Sequence, residues 1–227
     1  MRLEVKTKAA ADKDELNTRA KILHAAKEEF FEKGFSKTGV RAIAEKAGLT
    51  TGAIYNLFKN KDGVFNALVG TAFNDFLTFT SHESDIGYMK YNMLTSELSV
   101  ITEIGLRRFL RIIDFFYDNW DAMRLIVCCA KGSSYEHVFD DAIRAVEEET
   151  ALWLKKDNIR VSKQMKFFIH VMVSTFFENL KEIFHHNLTK KEAQEYAESI
   201  NTYHCAGWKQ YWLEQEAGSK RCKHEFF

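Results

Sequence analysis

Apolar residues recur at steps of three and four along most of this chain. From Thr18 to Gly34 they fall at Ile22, Leu23, Ala26, Phe30 and Phe31, the period of an amphipathic helix. Gly34 ends that run, and Phe35 follows as a hydrophobic anchor. Between Gly39 and Phe58 the pattern is two short helices about a tight turn. Ile43, Ala44 and Ala47 face inward from the first; Leu49, Ile54 and Leu57 face inward from the second; Gly48 stands in the turn. A small residue, a glycine four positions on and an aliphatic residue six positions beyond it is the spacing of a helix-turn-helix, whose second helix lies in the major groove of DNA. Thr38 is the expected N-cap of the first helix and Asn60 that of the next, with Asp62 at its positive end.

The later pattern predicts a bundle. The helix from Lys61 runs to about Phe79, and 81–100 is mixed, with room for a short helix between loops. Helices are predicted at Ile101–Asp118, Trp120–Lys131, Tyr135–Lys156, Ser162–His186 and Thr189–Glu216. The breaks at Asp118-Asn119, Gly132-Ser133-Ser134, Asp157-Asn158 and Asn187-Leu188-Thr189 all carry turn or cap residues. Thr189 with Glu192 makes a capping box. The tail from Gly218 has no period and is expected to fray. No alternating β-branched segment between turn signals occurs, so the predicted fold class is all-α.

Composition sharpens this picture. The 227 residues are 46% hydrophobic, enough for a sizeable core, and contain no proline, which favours long helices. No charge-free apolar window approaches a membrane span, and the charged N-terminus is unlike a secretory signal, so a cytoplasmic location is expected. Net charge is zero, but its distribution is uneven. Residues 1–70 hold 13 Lys and Arg against 9 Asp and Glu. Within 36–61 stand Lys37, Arg41, Lys46, Lys59 and Lys61 against a single acid, Glu45. A basic cap on an acidic body suits a DNA binder, because phosphate neutralisation supplies much of the affinity.

Enzyme chemistry finds no foothold. There is no Gly-rich phosphate loop, nucleophile elbow or catalytic carboxylate pair, and no enzyme activity or cofactor is expected. The histidines form no HxxxH or HExxH, and His185 and His186 diverge on a helix, so no metal site is expected. Cys128 and Cys129 sit in the apolar run LIVCCA and read as small buried residues; a redox- or metal-sensing pair is the sharper alternative.

Taken with their flanks, these residues resemble the TetR family of bacterial transcriptional regulators. The matching elements are ILxAAxxxFxxxGFxxT in the first helix, VRxIAxxAG in the second, and LTTGAIYNLFKNKDGVF across the third and into the fourth. The resemblance covers about residues 16–76. It implies an N-terminal arm over 1–15, a three-helix DNA-binding domain over 16–76 with its motif at 39–58, a helical effector-binding and dimerisation domain over 77–217, and a tail over 218–227. It further implies a homodimeric repressor on a palindromic operator in double-stranded DNA, released by a small apolar or aromatic effector. The alternative is control by a protein partner or by thiol redox state.

By the same resemblance, Thr50, Thr51, Gly52, Ala53, Tyr55 and Asn56 carry the DNA-facing positions of a recognition helix at Thr51–Phe58. Gly52 and Ala53 allow close approach, Tyr55 meets phosphate or sugar, and Asn56 reads a base edge. Lys61 matches a phosphate-contacting lysine, Lys59 adds positive charge, and Arg41 and Thr38 clamp the backbone. Gly39 stands where a hydroxyl residue is common, and Asn56-Leu57 replaces a pair that is usually aromatic or histidine. The implied effector pocket draws on Phe73, Phe76, Phe109, Phe116, Trp120, Met123, Phe139, Phe168, Met172 and Phe176. The implied dimer interface draws on Phe167, Val171, Thr175, Asn179, Ile183, Trp208, Tyr211 and Trp212. One recognition helix reads too few base pairs for genomic specificity, which also asks for a dimer.

Overall fold

The computed structural model describes residues 2–83, 96–156 and 161–224. All its regular elements are helices: α1 (Arg2–Lys37), α2 (Val40–Ala47), α3 (Thr51–Phe58), α4 (Lys61–Glu83), α5 (Leu98–Asp118), α6 (Trp120–Cys129), α7 (Val138–Lys156), α8 (Lys163–His185) and α9 (Lys190–His224). The expected breaks at Asp118-Asn119, Gly132-Ser134 and Asn187-Thr189 are present. Most of the mixed segment 81–100 and the break at Asp157-Asn158 lie outside the described residues.

Two ends differ from expectation. The stretch 1–15, expected as an arm, is helical from Arg2 onward. It holds Ala9, Ala10 and Ala11 among lysines and acids and no residue that stops a helix. The stretch from Gly218, expected to fray, continues α9 to His224. A lone glycine costs a helix only about 1 kcal/mol, and no proline follows it.

Local chemistry sets the other boundaries. Gly34, at φ 75° and ψ 163°, breaks α1 one turn before its end. Thr50 accepts a hydrogen bond from the Ala53 N–H and caps α3. The Asn60 side chain accepts from the Gly63 N–H at 2.7 Å and opens α4. Ser162 caps α8. Thr189 and Glu192 exchange bonds at 2.7 and 3.3 Å, the capping box expected at the head of α9. Thr38 does not cap α2; the cap position is Gly39, without a side-chain bond.

The described chain forms two compact units. The first comprises Met1–Phe76 and Asn119–Val138, so it contains α1 to α3, most of α4, and α6 with the turn that follows. Ile22, Ala26, Phe30, Ile43, Ile54, Val64, Phe65 and Val69 are buried at its centre. Phe30, Phe35 and Phe65 meet ring to ring at 5.1 to 5.7 Å and lock α1 to α4. Burying each such ring contributes about 1.5–3 kcal/mol.

The second unit comprises Leu77–Asp118 and Phe139–Phe227. Its core includes Ile101, Leu154, Met165, Ile169, Cys205 and Trp212. Asn201 is buried between α5 and α9 and donates to the Thr102 carbonyl at 2.8 Å. Phe116 meets Phe184 at 5.0 Å, and Phe109 meets Phe176 at 5.7 Å.

Candidate nucleic-acid interface

The turn between α2 and α3 is fixed by Gly48. At φ 66° and ψ 33° it occupies the left-handed region, where a Cβ is costly. Its N–H reaches the Glu45 carbonyl at 3.1 Å, and the Leu49 N–H reaches Ala44 at 2.9 Å. This paired closure leaves one residue, Leu49, before the cap of α3. Ile43, Ala44, Ile54 and Phe58 are buried, so the apolar faces of both helices are used up against α1 and each other.

What remains outward on α3 is a compact polar set. Thr51, Gly52, Tyr55 and Asn56 are exposed, Tyr55 at 52%, while Ala53 is half-exposed. Thr50 at the head of α3, Lys59 just past its end and Arg41 on α2 are exposed beside them. Arg41 has an exposed ion pair with Glu45 at 3.5 Å, a contact worth little in water and readily exchanged for phosphate.

Two of the expected DNA contacts face elsewhere. Thr38 is buried, and its hydroxyl donates to the Glu29 and Gly34 carbonyls at 3.1 and 2.8 Å. Its hydroxyl is thus occupied within the head, at the junction of α1 and α2. The Lys61 ammonium donates to the Phe35 and Thr38 carbonyls at 2.7 and 2.8 Å and lies 4.1 Å from the centre of the Phe35 ring. Burial holds its pKa below the usual lysine value. Lys61 therefore ties α4 to the α1–α2 turn, where carbonyls at the negative end of a helix favour a cation.

Glu29 is the functional-domain residue that motif reading passed over. It is a buried carboxylate on α1, bonded to Lys33 at 2.6 Å and to Lys46 of α2 at 3.4 Å. Lys46 also reaches Glu28 at 3.3 Å. The bond to Lys33 holds the Glu29 carboxyl below the ordinary carboxylate range, against the opposing pull of burial. The signal was present in the sequence: Glu29 falls seven residues after Ile22 and four after Ala25, on the apolar stripe of α1.

The residues expected to line one effector pocket divide between the units. Phe73, Phe76, Trp120 and Met123 belong to the first; Phe109, Phe116, Phe139, Phe168, Met172 and Phe176 belong to the second. Met123 and Phe116 are fully buried core residues. Phe168 stacks on Tyr211 at 4.3 Å, and Phe176 meets the His204 ring at 6.0 Å.

Of the expected interface residues, Phe167 and Val171 are exposed, Phe167 at 69%. Thr175, Asn179, Trp208 and Tyr211 are half-buried. Ile183 and Trp212 are buried in their own chain, so neither is available to a partner. Both lie on the core side of helices whose apolar bands are wider than one face. Tyr203 of α9, which the expected interface did not include, is exposed at 74%.

Cys129 is buried as expected, whereas Cys128 is exposed, against the expectation that both are buried; desolvation still pushes both thiols up, Cys129 to about 11. Among the described residues no group of three or more His, Cys, Asp or Glu could hold a metal, and no helix is long and apolar enough to cross a membrane.

The sequence profile of bacterial regulatory proteins of the tetR family matches residues 22–68. The chain is 33% identical over 102 residues to the HTH-type transcriptional regulator TtgR of Pseudomonas putida, covering 42% of this chain and 49% of that protein. It is 41% identical over 63 residues to the probable acrEF/envCD operon repressor of Escherichia coli, covering 28% and 27%. The chain thus spans about half the length of the first of these curated relatives. Among solved structures, one described as a TetR-family transcriptional regulator from Syntrophomonas wolfei superposes with a TM-score of 0.51 at 18% identity, over 84% of this chain and 95% of that one. One described as a fatty acid metabolism regulator from Clostridium perfringens gives 0.50 at 19%, over 80% and 94%. These two likenesses establish the all-helical fold.

Proposed function

We propose that this chain is a DNA-binding transcriptional repressor of the TetR family of bacterial regulatory proteins, on the strength of the match over residues 22–68 and the likeness to curated regulators. It acts as a homodimer on a palindromic operator and is released by a small apolar or aromatic effector. The observation that carries the DNA-binding part is the exposed set on α3. Thr51, Gly52, Tyr55 and Asn56 lie outside the core and fall on one side of α3, and Arg41 and Lys59 are exposed as well. Gly52 and Ala53 lack bulk where the helix start must approach the bases. Tyr55, Thr50 and Thr51 offer hydroxyls to phosphate and sugar, and Asn56 offers a bidentate amide to a base edge.

The dimer reading is supported by exposed apolar side chains on α8 and α9: Phe167, Val171, Tyr203 and Leu213. Large apolar groups left in water on two long helices favour a second copy. The effector reading is supported by the half-buried rings Phe139, Phe168 and Phe176 with Met172 in the second unit.

Selection of bound duplexes from a random DNA pool by the purified protein, with native mass spectrometry of the complexes, tests the proposal. Enrichment of a palindrome bound by two copies is expected. Enrichment of nothing, with salt-independent retention, would remove DNA from the function. Any small molecule released from the native dimer on operator binding identifies the effector class.

A further inference from the structure

The chain passes from α3 to α4 through Lys59 and Asn60 alone. Lys59 stands at φ 66° and ψ −43°, and the Asn60 N–H reaches back to the Phe58 carbonyl at 2.8 Å. A bond over two residues about a positive φ is the rare, strained form of γ-turn, which glycine would adopt at least cost. A lysine holds the position instead. Strain on a residue with a side chain persists only where the surroundings enforce it, and such residues gather at ligand clamps.

The surroundings enforce it here. Phe58 is buried, with the Arg19 guanidinium 4.7 Å from the centre of its ring. The Lys59 N–H bonds the Tyr55 carbonyl at 3.0 Å, so α3 keeps its helical bonds up to the turn. On the other side the Phe58 carbonyl presses against Gly63. A Cβ at Gly63 would overlap the carbonyl oxygen and stand 3.1 Å from its carbon. These are backbone atoms and cannot swing aside as the end of a side chain can. The Gly63 N–H donates to Asn60 Oδ1 at 2.7 Å, and the Val64 N–H to the Asn60 carbonyl at 3.3 Å. Gly63 is itself helical, with no positive φ, so this glycine serves space and not backbone freedom.

The two lysines of the segment have different surroundings. Lys61 is occupied by the Phe35 and Thr38 carbonyls. Lys59 is exposed, and it follows Asn56 and Tyr55, the last exposed residues of α3, by three and four positions. We propose that Lys59 is the phosphate-contacting lysine at the end of the recognition helix, and that Gly63 positions it by admitting the Phe58 carbonyl and so holding the strained turn. This rests on the DNA-binding reading above. Gly63 acts only through Lys59. A lysine on a fixed backbone loses less freedom on meeting a phosphate than one on a mobile turn.

The test is the salt dependence of DNA binding by the full-length protein, on a duplex selected by the wild type. Lys59→Gly suits the positive φ and removes the ammonium. It should melt no lower than the wild type and reduce the salt slope by about one unit per lysine. Gly63→Ala keeps the ammonium and favours the helix, yet should reduce the slope by the same amount, because the turn must open. The two changes together should reduce it no further than either alone. A residue that only stabilises the fold would lower the melting temperature and leave the slope as it was. If Gly63→Ala alone does not fold, adding Lys59→Gly should restore cooperative melting by letting the turn move aside. A wild-type slope in either single variant, or a folding defect that Lys59→Gly does not relieve, overturns the proposal and leaves the DNA-binding reading standing. A wild type whose binding does not depend on salt overturns that reading, and the proposal with it.

Discussion

Glu29 is the residue whose removal separates the charge chemistry of the DNA head from its packing. Its carboxyl is held below the ordinary value of 4.5 by Lys33 and Lys46. A carboxyl depressed in the folded state stabilises fully above its unfolded value, and that contribution is lost as pH falls through the folded one. Thermal melts should thus show the wild type weakening below about pH 4.5. Glu29→Gln should lose about 1–3 kcal/mol at pH 7 and melt with a flatter acid limb. An acid limb as steep as that of the wild type would assign the pH dependence to other carboxylates. Lys61 gives a second test at this scale. Its ammonium is occupied by the Phe35 and Thr38 carbonyls. Lys61→Met should lower the melting temperature and leave the salt slope of DNA binding unchanged. A slope reduced by about one unit per lysine would return Lys61 to the phosphate contacts.

At the scale of the element, α3 is a short helix with a divided surface. Ile54 and Phe58 fasten it to the head, and Thr50 caps its first turn, so its position does not depend on the residues that face outward. Those residues are free to specify sequence. Asn56→Ala should therefore fold normally and relax preference at one symmetric pair of operator positions, at about 1–3 kcal/mol per contact. A selection experiment on the variant reads this directly; a uniform loss across all sequences would place Asn56 on the backbone. α8 has the same division with another purpose. Ile169, Leu180 and Ile183 face the core, while Phe167 and Val171, one turn apart, face water.

At the scale of the whole molecule, that exposed pair predicts assembly. Changing Phe167 and Val171 together to Glu should convert a dimer to monomers in sedimentation velocity with the helical circular dichroism intact. The monomer should bind a single half-site with the wild-type affinity and lose the palindrome. A variant that stays dimeric would move the interface off this face. Control by an effector follows linkage: a ligand that weakens operator binding must bind the operator-free protein more tightly by the same factor.

The sequence alone determined the helix-turn-helix, because its constraints are local. A glycine at the left-handed turn, a small residue at the crossing and an apolar residue on the facing helix must stand at fixed spacings, as Gly48, Ala44 and Ile54 do. Among the described residues most helix boundaries were equally legible, since Asn60, Ser162 and the Thr189–Glu192 box act within four residues of themselves. Only the tertiary structure decided which polar groups turn inward. Thr38 and Lys61 look like surface residues in a local reading, and become ties because the fold brings the carbonyls at the end of α1 within their reach. It also divided the aromatic residues. A phenylalanine on a wide apolar band can face its own core, a cavity or a second copy. The band places Ile183 and Phe167 alike, but packing against the neighbouring helices buries one and leaves the other in water. The hydrogen bond from the Tyr135 hydroxyl to Asn66 joins residues far apart in the chain, and no pattern along a single helix encodes such a contact.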